Sequence, residues 1–130
     1  MTSHLYLGYH HNWAGTPDFR RHWLLFLAPQ RGSNIGSAYD VVDNDKSAKW
    51  ERRNRDNHDI SESGTFQDKL VLGRIEDEKG EDFENVIDET PLPVEGEDCQ
   101  TYVMNVVKKL VEKNIVHKLA LTYMTQAPSN

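Results

Sequence analysis

The first half of the chain alternates short apolar runs with polar, turn-rich stretches. His22-Trp-Leu-Leu-Phe-Leu27 is a compact apolar run bounded by Arg21 and Pro29, the pattern of a buried strand. Ser37-Ala-Tyr-Asp-Val-Val42 follows after Pro29–Gly36, a segment whose Pro, Gly, Ser and Asn residues supply turn geometry, so the two runs predict a hairpin. Leu70-Val-Leu-Gly-Arg-Ile75 predicts a further strand and Leu5–Tyr9 another. Asp43–Asp59 is polar with scattered charge and reads as a loop. Glu78–Asp82 reads as a turn around Gly80, and Pro91–Gly96 as an extended connection.

Beyond Asp98 the period changes. Tyr102, Val103, Val106, Val107, Leu110 and Val111 recur at 3.6-residue spacing and form one apolar stripe, which predicts a helix from Cys99 to about Lys113 or Asn114. Asp98 is placed to cap it by accepting the free first-turn amides, and Lys108, Lys109 and Lys113 complement its far end. Leu119–Met124 fits a strand or a short helix equally, and the Gln126–Asn130 tail reads as frayed. Together these elements predict an α+β fold: an antiparallel sheet built on Arg21–Leu27, Ser37–Val42 and Leu70–Ile75, packed against the Cys99–Lys113 helix.

Length and composition narrow the classes. At 130 residues, 37% hydrophobic and 28% charged, residues 1–130 are expected to form one domain rather than two small cores or a disordered chain. No apolar run is long enough for a membrane span, so no transmembrane anchor is expected. Met1–Trp13 lacks the pattern of a secretory signal, so the expected location is the cytoplasm. A single cysteine, Cys99, rules out an internal disulfide and a thiolate-rich zinc site; no metal and no cofactor are expected. The net charge of −6 argues against nucleic acid as a partner. Charge is uneven: eleven of 21 acidic residues lie between Glu76 and Asp98, downstream of a basic stretch at Lys46, Lys49, Arg52, Arg53 and Arg55. Exposed ion pairs contribute little, so these read as two solvated loops rather than an anion-binding strip.

Cys99 at the first position of a helix is a candidate nucleophile. Free amides there favour the thiolate and can meet an oxyanion forming beside the sulfur, while Glu97 and Asp98 oppose the thiolate, so a cation must come from elsewhere in the fold. Among six histidines, His58 and His117 read as solvated. Neighbours His10 and His11 point opposite ways on a strand and cannot share a metal. His22, opening an apolar strand beside Trp23, is the remaining base.

His22-Trp23-Leu24-Leu25-Phe26-Leu27, followed by Asp98-Cys99-Gln100-Thr101-Tyr102-Val103, resembles the order of motifs in the circularly permuted NlpC/P60-like, papain-like thiol enzymes, the group containing the lecithin:retinol acyltransferase-like proteins. Leu70–Ile75 resembles that group's middle strand, so the likeness spans about Arg21 to Leu110, and small fungal members are nearest in character. The resemblance implies a Cys99–His22 pair with Asp40 on the next strand as the group orienting the imidazole; Asp43 and Tyr39 are alternatives for that third position. It implies hydrolysis or transfer at an ester, thioester or amide of a small-molecule, acyl or peptide substrate. Tyr39, Trp23, Gln100, Tyr6 and Tyr9 are candidates for substrate or oxyanion contacts. The chain departs from the group where Asn-Cys becomes Asp98-Cys99, where Glu-His becomes Gln100-Thr101, and in lacking a hydrophobic anchor. Two other uses of the scaffold stay open: a cyclisation or isomerisation in a pocket lined by Trp13, Trp23 and Trp50, and an inactive interaction module whose acidic loop binds a basic partner. The sequence sets no oligomeric state.

Overall fold

The computed structural model describes residues 2–11, 21–44 and 49–129. Among these, five strands and three helices form an α+β arrangement. The strands are β1 (Thr2–His10), β2 (Trp23–Ala28), β3 (Ile35–Asn44), β4 (Lys49–Asp59) and β5 (Phe66–Glu76); the helices are α1 (Gly80–Glu89), α2 (Cys99–Glu112) and α3 (Leu119–Met124). The sheet runs β4-β3-β2-β1-β5 with every neighbouring pair antiparallel.

Strand alternation divides the side chains between two faces. One face carries Leu5, Leu7, Trp23, Leu25, Tyr39, Val41, Leu72 and Ile75, all buried against the helical stripe of Tyr102, Val103, Val106, Val107 and Leu110. The opposite face carries a smaller cluster of Tyr6, Leu24, Phe26, Ala28, Ala38 and Ile60, with Phe66 against it. The β2–β3 hairpin forms as expected, pairing Leu25 with Tyr39 and Leu27 with Ser37. Gly36 is required at its base, because a Cβ there would lie 2.4 Å from the Leu27 carbonyl oxygen.

Four expectations need correction. The described residues of Asp43–Asp59 are not a loop: Asp43 continues β3, and Lys49–Asp59 is the edge strand β4, while 45–48 lie outside the described residues. It carries no apolar alternation because an edge strand is held by backbone pairing on one side. Charged residues on an edge strand disfavour pairing with further strands. Glu78–Asp82 is not a turn: a 3-10 turn (Asp77–Lys79) runs directly into α1. Phe83, Val86 and Ile87 form the buried stripe of that helix, and Glu81 and Asp82 in its first turn suit the helix dipole. The acidic segment is therefore partly a packed helix. The two charged stretches are not independently solvated either, since Arg52 donates from Nε to the Ile87 carbonyl at 3.3 Å and from Nη2 to the Thr90 carbonyl.

The fourth correction concerns the tail. Through Ser129 it is docked rather than frayed: the Pro128 carbonyl accepts the Trp23 indole N–H at 3.0 Å, and the Ser129 carbonyl accepts the Arg21 amide at 3.1 Å. Leu119–Met124, left open by the sequence, is helical, with Ala120 and Met124 buried one turn apart.

Candidate functional site

The α2 helix begins at Cys99 because Asp98 caps it. The Asp98 carboxylate accepts the Gln100 and Thr101 amides at 3.0 and 3.2 Å, and the Thr101 hydroxyl accepts the Asp98 amide at 3.2 Å, a capping box. The first turn of this helix then grips Arg21, the residue before His22. The Arg21 carbonyl accepts the Gln100 side-chain amide at 2.8 Å, and the Cys99 Sγ lies 3.9 Å from the same oxygen. On the other side, the His10 amide donates to the His22 carbonyl at 3.1 Å. His22 is thus fixed at the mouth of the sheet beside the start of α2.

Its ring has two partners. Nε2 lies 2.7 Å from Asp40 Oδ2, and Cys99 is close enough to act on the ring's titration. Burial by itself pulls the imidazolium down, but the hydrogen bonds and charges of Asp40 and Cys99 outweigh it and lift His22 to about 9. Asp40 is wholly buried. Burial favours its neutral form, yet the hydrogen bonds from His22 and Arg53 hold it at about 2.

Arg53 explains how a buried carboxylate is retained there. The β3–β4 register places Arg53 directly across from Asp40, and the guanidinium grips both oxygens, Nε to Oδ1 at 3.0 Å and Nη2 to Oδ2 at 2.7 Å. Arg55 sits two residues further along the same face, with Nη2 3.5 Å from Oδ2. The basic stretch does hold an anion, and it is the chain's own Asp40. The sequence carried a signal for this: Arg53 and Arg55 share a face at i, i+2, but only if the segment is a strand.

His10 is the second residue that sequence reasoning set aside. Its ring lies edge-on to His22 with centroids 5.1 Å apart, and its Nδ1 is 2.7 Å from the Thr65 hydroxyl. Burial, helped by the charge of His22, lowers it to about 4, so it is an uncharged wall of the site.

Several expected contacts lie elsewhere. Tyr39 points to the helical face, opposite Asp40, where its hydroxyl donates to Glu84 at 2.6 Å and its ring stands edge-on to Phe83. Trp23 is in the same core. Tyr9 packs at that core's margin, across from Trp23. Tyr6 is four residues along the β2 ladder from His22, accepting the Gly32 amide at 2.8 Å. Gln100 is buried, its amide engaged by the Arg21 and Ser129 carbonyls. Asp43 lines a cleft of about 620 Å³ with Trp50, Leu92, Val94 and Glu97, a cleft that neither Cys99, His22 nor Asp40 lines. Trp13 lies outside the described residues. Among the described residues no group of three or more His, Cys, Asp or Glu side chains could hold a metal, and no helix is long and apolar enough to cross a membrane.

A family model of unknown function matches residues 8–117, most of the chain and all of the cluster just described. The chain belongs to DUF6540. The DUF6540 segment includes His10, His22, Asp40, Arg53, Arg55 and Cys99. No curated protein and no solved structure matches the chain.

Proposed function

We propose that the chain is a thiol-dependent enzyme in which Cys99 attacks an ester, thioester or amide carbonyl, His22 moves the proton, and Asp40 orients the imidazole. The observation that carries this reading is one ring bonded to a buried carboxylate, with the chain's lone thiol acting on it from the Arg21 carbonyl next door. The His22 ring already carries the Cys99 proton on Nδ1, and the thiolate sulfur adds to the carbonyl carbon. The oxyanion that forms is met by the Cys99 backbone N–H, since the Gln100 and Thr101 amides are occupied by Asp98. The imidazolium then protonates the leaving group as the carbon–heteroatom bond breaks, and water or a second nucleophile releases the thioester. Asp40 Oδ2 fixes the tautomer throughout by accepting the Nε2 proton. This assignment also matches the permuted NlpC/P60-like order of histidine strand, polar strand and cysteine helix.

The second reading, an inert scaffold for a partner, is favoured by the burial of Cys99, which is 7% exposed. Iodoacetamide separates the two. At neutral pH an active Cys99 should alkylate faster than a free cysteine, and His22→Ala should slow it by about tenfold or more. Incubation with activated esters should give an acyl adduct by mass spectrometry that Cys99→Ala abolishes. Slow alkylation indifferent to His22, with no adduct, would leave only the scaffold.

A further inference from the structure

Asp40 faces more positive charge than it can neutralise. Arg53 occupies both of its oxygens, and His22 shares Oδ2. Arg55 reaches that oxygen only at 3.5 Å, the limit of hydrogen-bond range, and its Nε is buried with no hydrogen-bond partner. The groups acting electrostatically on Arg55 are Asp40, which attracts, and Arg53, which repels. His22, Arg53 and Arg55 therefore all converge on this one carboxylate. A buried donor left unsatisfied is costly, and such groups concentrate where they have a role.

The Arg55 side chain is 29% exposed and only weakly tied to Asp40, so rotation of its terminal bonds can turn the Nε–Nη edge toward an arriving oxyanion. Arg53 cannot do this without releasing a two-point grip.

We propose that Arg55 is the anion-recognising residue of this site, and that the molecule processed at Cys99 carries a carboxylate or phosphate group near the bond that breaks. That the bound anion belongs to a substrate rests on the catalytic reading above; the anion site itself does not. The whole chain carrying Cys99→Ala, which can bind but not react, tests the site. Acetate and inorganic phosphate are titrated separately at constant ionic strength while the Arg55 Nε–Hε resonance is followed by NMR. A saturable shift with a Kd of about 10 mM or tighter is expected for at least one of them, and the tighter anion identifies the group. Arg55→Gln should weaken that binding about tenfold, read on the neighbouring amides, with partial recovery in Arg55→Lys. No saturation up to about 100 mM, or equal binding in Arg55→Gln, overturns the site.

A second measurement compares Cys99 labelling by iodoacetyl-β-alanine and by its neutral amide; in both, a carbon–sulfur bond forms and iodide leaves. A preference of about tenfold for the anionic reagent, lost in Arg55→Gln, is expected. Anion binding without that preference overturns the substrate assignment. If the neutral reagent labels Cys99 no faster than a free cysteine, the catalytic reading fails, and the titration alone decides the anion site.

Discussion

Asp40→Asn removes one charge from the centre of the cluster while keeping its shape and an oxygen for the His22 N–H. In the native chain His22 stands at about 9 against an ordinary value of 6.5, although burial alone would carry it the other way. That difference amounts to about 3 kcal/mol of preference for the charged ring, and the Asp40 hydrogen bond is the largest of the raising causes. Because the folded value lies above the unfolded one, this stabilisation is fully present below pH 6.5 and is lost as the pH rises through 9. The variant also leaves Arg53 and Arg55 without their common counter-charge, a cost that does not vary in this window. Together the loss should be about 3–5 kcal/mol near pH 6, read by urea unfolding, and it should shrink steadily toward pH 9. NMR titration of the His22 ring should show its midpoint falling to about 7 or lower. A midpoint within about half a pH unit of the native one, or a stability difference that stays flat from pH 6 to 9, would refute the reasoning.

Arg53→Gln should destabilise the chain by about 1–3 kcal/mol through loss of the charged grip on a buried carboxylate, and should raise the His22 midpoint by removing a neighbouring cation; Arg53→Lys should reverse part of both. Unfolding together with an unmoved midpoint would make Arg53 merely structural. Phe83→Ala, at a fully buried position of α1, should cost about 3–5 kcal/mol in urea unfolding; a cost under about 1 kcal/mol would return the acidic segment to a solvated loop. His10 stands below its ordinary value, so its contribution is present above pH 6.5 and is lost as the pH falls through about 4. His10→Gln should accordingly flatten the native loss of stability over that interval, measured by unfolding midpoints from pH 4 to 7.

The elements legible in the sequence were those whose side chains report their own burial. The stripe from Tyr102 to Val111, the Asp98 cap and the apolar β2 run each state where they belong, because burying apolar area is a local demand on spacing. The His22–Asp40 contact came from the family resemblance, and alternation, which sends Tyr39 and Asp40 to opposite faces, allowed only one of the two beside His22. The strand β4 and helix α1 were misread because charge dominates both. An arginine in water and an arginine gripping a buried carboxylate are the same letter, and the three apolar residues of α1 are outnumbered by acidic ones on its solvent side.

The sequence by itself determined that one thiol opens a capped helix and that a histidine opens an apolar strand. Tertiary structure alone decided that Arg53 lies across from Asp40, that His10 stands beside His22, and that Arg55 is left with an unmet donor. Those relations come from strand register and from segments far apart in the chain docking on the Arg21 peptide. Their energy resides in pairs of residues, and no single position in the sequence can announce a pair.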